Sequence, residues 1–176
     1  KTDMTIMAPA DENECYHMLD FGFALNSPAA VRYPRGKGPG IAIIKDAPLN
    51  LEKGKGVLVL NNQVQSSSPK PEKTIAILSF GSLLSEALKA AEELQDHYQI
   101  NVINMRFIKP LDTALILQHA ISSDLIITLE DNTILGGAGS AVNESLSEQS
   151  NRCPVINLGL PDVFPEHGTQ QEIHHD

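Results

Sequence analysis

No apolar run in this sequence approaches the roughly 20 residues needed to cross a bilayer, so a helical membrane span is excluded by length alone. Basic residues are scarce: 13 Lys and Arg face 22 Asp and Glu, a formal net charge of −9. The arginines are scattered, which argues against nucleic acid as the main partner, because phosphate-backbone binding needs clustered cations. Cysteine is nearly missing. Cys15 and Cys153 stand far apart, without the paired spacing of a zinc knuckle or a redox motif, and fit a reducing cytosol or plastid-like compartment with inert thiols. No Gly-x-Ser-x-Gly, His-Glu-x-x-His or P-loop occurs. Hydrolase, zinc-protease and nucleotide-binding P-loop chemistries therefore lack their usual carriers.

Against that background the stretch Ala30-Val31-Arg32-Tyr33-Pro34-Arg35-Gly36 stands out. Ala29 to Tyr33 reads as a buried strand, and Pro34, which has no N–H for a ladder, stops it. Gly36, Gly38, Pro39 and Gly40 follow, so Arg35 is expected just past a strand end, fixed by proline and glycine. A planar guanidinium placed there suits bidentate capture of a phosphate or carboxylate. A surface arginine on a linker is the alternative.

Read in order, Met4–Ala8 is a strand and Asp11, with Glu14 three residues later, begins a helix running to about Leu25 or Asn26. Met18, Leu19, Phe21 and Leu25 form its apolar side, and the carboxylates of Asp11, Glu12 and Glu14 suit a helix first turn. Residues 36–51 read as a linker between domains, Val57–Leu60 as an edge strand, and 61–73, around Ser66-Ser67-Ser68, as a solvated loop. Beyond it strands at Ile75–Phe80, Asn101–Met105, Asp124–Glu130 and Val155–Leu158 alternate with helices from Gly81-Ser82, Asp112 and Ser140, and Thr169 with Glu172 caps a last one. That alternation predicts an α/β fold: a three-layer α/β/α, doubly wound, mostly parallel sheet preceded by a βαβ remnant. The first residue is Lys1 rather than Met, and a lone βαβ unit cannot bury both faces of its sheet, so the sequence reads as a fragment.

Four loops lie where such a sheet takes ligands, at strand carboxyl ends: Gly81-Ser82, Arg106–Pro110, Glu130-Asp131-Asn132 and Gly159–Asp162. The run Gly136-Gly137-Ala138-Gly139 could cradle phosphate at a helix N-terminus, but it lacks the dinucleotide and P-loop spacings, and a tight turn or close packing accounts for it as well. His167 has no triad partner at recognisable spacing, and His174-His175-Asp176 reads as a solvated turn rather than a metal cluster.

The segments Met4–Glu14, Ala30–Gly36, Met105–Asp112, Gly136–Ser140 and Gly159–Phe164 with His167-Gly168 together resemble the 1-deoxy-D-xylulose-5-phosphate synthases, in that family's order. The resemblance implies a transketolase-like enzyme of three α/β domains, using thiamine diphosphate and Mg²⁺ as a homodimer in the bacterial cytoplasm or plastid stroma. It would condense pyruvate with glyceraldehyde 3-phosphate, releasing carbon dioxide, for isoprenoid, thiamine and pyridoxal synthesis. Residues 1–40 would be the tail of the pyrimidine-binding domain, 41–51 a linker, and 52–176 the C-terminal domain. Arg35 would bind the phosphate of glyceraldehyde 3-phosphate, and Arg32 would be structural. The family's Gly-Asp-Gly…Asn segment, catalytic glutamate and active-site histidines have no counterpart here and are expected upstream of Lys1. The isolated chain is therefore expected to be inactive, with no catalytic, cofactor-binding or metal-binding residue of its own. The glycine run and His167 are candidates for dimer or interdomain packing. Two alternatives remain: a non-catalytic dimerisation or regulatory module, and a transketolase-like protein of another kind, such as a 2-oxo acid dehydrogenase β subunit.

Overall fold

The apolar run around Ile75 forms the middle of a sheet. In the computed structural model, which describes residues 3–47, 49–61 and 73–163, the elements run β1 (Thr5–Met7), α1 (Glu12–Ala24), β2 (Ala29–Val31), β3 (Val57–Asn61), β4 (Thr74–Phe80) and α2 (Leu84–Leu94). They continue with β5 (Gln99–Asn104), β6 (Phe107–Lys109), α3 (Thr113–Ser122), β7 (Leu125–Thr133), α4 (Ala138–Glu148) and β8 (Val155–Leu160). Five strands make one sheet in the order β3-β5-β4-β7-β8, parallel except for the antiparallel edge strand β3. Strands buried on both faces favour apolar side chains, which is why β4 is largely aliphatic; β5 is buried as well, and its Ile100, Val102 and Ile103 alternate with the buried amides Asn101 and Asn104.

Helices cover both faces. Ala87 and Ala91 of α2 lie on Ile77, Ile100 and Val102, while Ile116 and Ala120 of α3 and Val142 and Leu146 of α4 lie on Leu78, Ile103 and Ile126. Each fully buried aliphatic side chain contributes about 1.5–3 kcal/mol. The three-layer, mostly parallel arrangement expected from the alternation is the one observed.

Three differences from the sequence reading concern the first 40 residues and their surroundings. The segment β2 was expected to be a buried strand; it is the edge of a separate three-stranded sheet ordered β2-β1-β6, with Ala29 exposed and Ala30 and Val31 half-buried. Its partner β1 runs parallel to it, as a βαβ unit requires, but β1's other neighbour is β6, read as a loop, which pairs antiparallel through Met7 opposite Phe107 and Ile6 opposite Lys109. The small sheet therefore contains a strand from beyond residue 100. On α1, Met18 is fully buried with Met7 and Phe107, whereas Leu19, expected on the apolar side, is 51% exposed.

Candidate anion site beside Arg35

Arg35 follows β2 by four residues and is exposed, with no ion-pair or hydrogen-bond partner among the described residues. The chain on either side of it is held. On the upstream side the Arg32 N–H donates to the Met7 carbonyl at 2.8 Å, and the Arg32 guanidinium donates to the Asp131 carbonyl and lies 3.8 Å from the Asp131 carboxylate. Asp131 stands in β7, so this anchor reaches the large sheet. On the downstream side the Glu12 carboxylate accepts from Gly40 N–H at 2.9 Å and Ile41 N–H at 3.1 Å. Asn13 Oδ1 accepts from Ile44 N–H at 2.9 Å, and His17 Nε2 lies 3.1 Å from the Ile44 carbonyl. The stretch read as a linker is thus laid along one side of α1, because three polar residues of that helix satisfy its backbone.

A cavity of about 140 Å³ is lined among others by Pro9, Asp11, Cys15, Pro34, Gly36 and Ser82; Pro34 and Gly36, the chain neighbours of Arg35, form part of its wall and the Arg35 side chain does not. Asp11 caps α1, accepting from Glu14 N–H at 2.8 Å, and Glu12 is committed to Gly40 and Ile41. Its carboxyl is held below the usual carboxylate range by its own backbone N–H first and that of Gly40 next, with Ile41 adding to them against a desolvation push. The Cys15 thiol is pushed up, mainly by burial and further by Asp11 and Glu12, so it stays protonated at neutral pH and is no nucleophile. Cys153 is raised in the same way, by burial first and then by Asp124.

The glycine run holds an anion, but the chain's own. Glu130, within β7, is 4% exposed and accepts from Ala138 N–H and Gly139 N–H, both at 2.8 Å. The amides and helix dipole suited to a phosphate are satisfied by this carboxylate. Sequence reasoning placed Glu130 in a candidate ligand loop; the signal for its real role was an acid preceding a glycine run at a helix start.

Glu14 was read as a first-turn acid. It is 5% exposed and does more: its carboxylate accepts from Ala10 N–H at 3.0 Å, from Asn104 Nδ2 at 3.0 Å and from Arg106 Nε at 2.7 Å. It thereby joins α1 to the end of β5. Arg106 has φ 57°, a left-handed backbone that costs a non-glycine residue of the order of 1 kcal/mol and is offset by that ion pair. The crevice where the sheet's winding reverses, at the carboxyl ends of β4 and β7, is closed in the same manner. A Cβ on Gly81 would lie 3.4 Å from Ala8 Cβ, and Asp131 carries Arg32. The position at which such sheets take a ligand is approached here by the chain's own Ala8 and Arg32.

Among the described residues no group of three or more His, Cys, Asp or Glu could hold a metal ion. The Ala138 and Gly139 amides are bonded to Glu130, so the glycine run does not offer them to the diphosphate of thiamine diphosphate, and no chemical step is derived through that cofactor or Mg²⁺. His167 and His174-His175-Asp176 lie outside the described residues.

Comparison with known proteins decides the family: residues 65–176 match the transketolase C-terminal domain. The chain belongs to the transketolase C-terminal domain family. A 1-deoxy-D-xylulose-5-phosphate synthase of Thioalkalivibrio sulfidiphilus is 50% identical over 172 residues, 97% of this chain and 24% of that protein. The synthase of Vibrio cholerae serotype O1 is 51% identical over 172 residues, 98% of this chain and 26% of that protein. A solved split-gene transketolase, described as an inactive β4 tetramer, superposes with a TM-score of 0.76 at 27% identity, covering 92% of this chain and 50% of its own. This transketolase-family chain spans about a quarter of the length of the curated relatives it matches. Their similarity extends through the Arg35 segment, upstream of the residues the domain match covers.

Proposed function

We propose that this chain is the acceptor-phosphate part of a thiamine diphosphate- and Mg²⁺-dependent synthase that condenses pyruvate with glyceraldehyde 3-phosphate to 1-deoxy-D-xylulose 5-phosphate. The names and identities of the relatives support the reaction, and their greater length supports supply of the cofactor-binding residues by a longer polypeptide. In this reading residues 1–40 belong to the pyrimidine-binding domain, 41–51 link, and 52–176 form the C-terminal domain. The assembly is a homodimer in the cytoplasm, a location in keeping with bacterial relatives and with the lack of any described helix long and apolar enough to cross a membrane.

The observation that carries the reading is Arg35: exposed, with both flanks anchored, and without a partner among the described residues. Its task is to bind and orient. Two parallel N–H donors match two phosphate oxygens, and a guanidinium stays charged at any physiological pH. When bound, the cofactor supplies the carbanion chemistry; Arg35 supplies grip on the far end of the acceptor. A module serving dimerisation alone would leave this arginine without a task. Replacing Arg35 by Ala in the full-length protein is expected to raise KM for glyceraldehyde 3-phosphate about 10- to 100-fold, the equivalent of one charge-assisted pair, while KM for pyruvate stays within about twofold. An unchanged KM for the phosphorylated substrate would refute the assignment.

A further inference from the structure

The five residues Gly36-Lys37-Gly38-Pro39-Gly40 are shaped around one side chain. A Cβ on Gly38 would fall 2.5 Å from the Glu12 carboxylate, so any larger residue there would displace it. Gly40 has φ +84°, a conformation that L side chains rarely adopt, and in it the Gly40 N–H donates to Glu12 Oε1 while the next N–H, of Ile41, donates to Oε2. Two consecutive amides converging on one carboxylate form a small backbone nest for an anion, and Glu12 is its occupant. The glycines are at 38 and 40 because one allows the approach and the other the turn.

Arg35 lies between this nest and the Arg32–Asp131 anchor. Seven residues separate Arg32 from Gly40, so freeing one end would let the guanidinium sample many positions, and ordering it again on ligand binding would cost affinity. We propose that Glu12 is a positioning residue for Arg35: by pinning Gly40 and Ile41 to the first turn of α1, it holds the arginine in place for the acceptor's phosphate. This rests on the reading of Arg35 given above. Glu12 touches no reacting atom in this account; it acts through the backbone. Asp131, reached from the large sheet, does the same from the other side.

The test compares Glu12→Ala, Glu12→Gln, Gly38→Ala and Arg35→Ala in the full-length protein, with glyceraldehyde 3-phosphate and unphosphorylated glyceraldehyde as acceptors and amide hydrogen exchange at Gly40 and Ile41. Glu12→Ala is expected to speed exchange at both amides about 10-fold or more and to raise KM for the phosphorylated acceptor about 3- to 10-fold. It should leave kcat and the KM for glyceraldehyde within about twofold, a split that general unfolding would not give. Glu12→Gln, which keeps an acceptor oxygen, should recover part of the loss. Gly38→Ala should reproduce Glu12→Ala, and the double variant should be no worse than either single one, since both remove the same contact. Faster exchange with unchanged KM would overturn the proposal, as would unaltered exchange. If Arg35→Ala itself leaves KM unchanged, the functional reading fails and the positioning role with it; if only Glu12→Ala is silent, the positioning role alone fails.

Discussion

Glu14 carries more of the structure than its place in a helix's first turn suggests. Its carboxylate and the Arg106 guanidinium have side-chain exposures of 7% and 14%, so neither can turn to water if the other is removed. Breaking a buried pair from one side leaves an uncompensated charge and typically costs about 3–5 kcal/mol. Glu14→Ala is therefore expected to lower unfolding free energy by about that much in a denaturant titration; a loss below about 1 kcal/mol would show that water relieves Arg106. His119 on α3 works in the opposite direction. It is 5% exposed, neither ring nitrogen has a hydrogen-bond partner among the described residues, and burial pulls its pKa below the usual 6.5. The folded chain holds it neutral while the unfolded chain takes up a proton, so the stability it supports is present above about pH 6.5 and is lost as pH falls below that value. The decline should continue until the lowered folded value is passed, and His119→Leu should flatten it between pH 7 and 5. An unchanged pH slope in that variant would assign the decline to other groups.

At the scale of elements, the start of α4 shows why a glycine can be required inside a helix. Alanine normally favours a helix interior by about 1 kcal/mol over glycine. At Gly139 its Cβ would meet Asn157 Nδ2 and Thr128 Oγ1, both at 2.5 Å, and overpacking of this kind costs about 1–3 kcal/mol. Gly139→Ala is thus expected to lower the thermal midpoint, whereas a rise would mean that β7 and β8 yield easily. Such elements differ in how plainly the sequence announces them. Ile75–Phe80 was legible because a parallel strand covered on both faces is mostly apolar, and Asn101–Met105 through its β-branched Val102-Ile103 pair, although Asn101 and Asn104 are buried polar residues. Asp11 and Glu14 marked the start of α1 because the cap's chemistry is local, and Asp11 does accept from Glu14 N–H. Strand β6 was not legible: three residues between a left-handed Arg106 and Pro110 carry no periodicity, and their partner β1 lies about 100 residues earlier. The strap over α1 was missed for a similar reason, since Glu12, Asn13 and His17 bond to backbone atoms that no side-chain pattern reveals. Arg35 stands out in the sequence because proline and glycine isolate it, and the Glu130 cap was obscured because its glycines also suit a phosphate.

Taken whole, the molecule couples its two sheets tightly. Strand β6 pairs with β1, Glu14 reaches Asn104 and Arg106, Arg32 reaches Asp131, and Ala8 lies against Gly81. If Arg35 binds the acceptor as proposed, its ligand would be referred to a frame that includes the large sheet. The claim at the centre of this account is that Arg35 reads the acceptor's phosphate, and the ratio of kcat/KM for glyceraldehyde 3-phosphate over glyceraldehyde tests it most directly. In the full-length protein that ratio should be large, and Arg35→Ala should reduce it about 10- to 100-fold by weakening the phosphorylated acceptor alone. A ratio unmoved by Arg35→Ala would contradict the account.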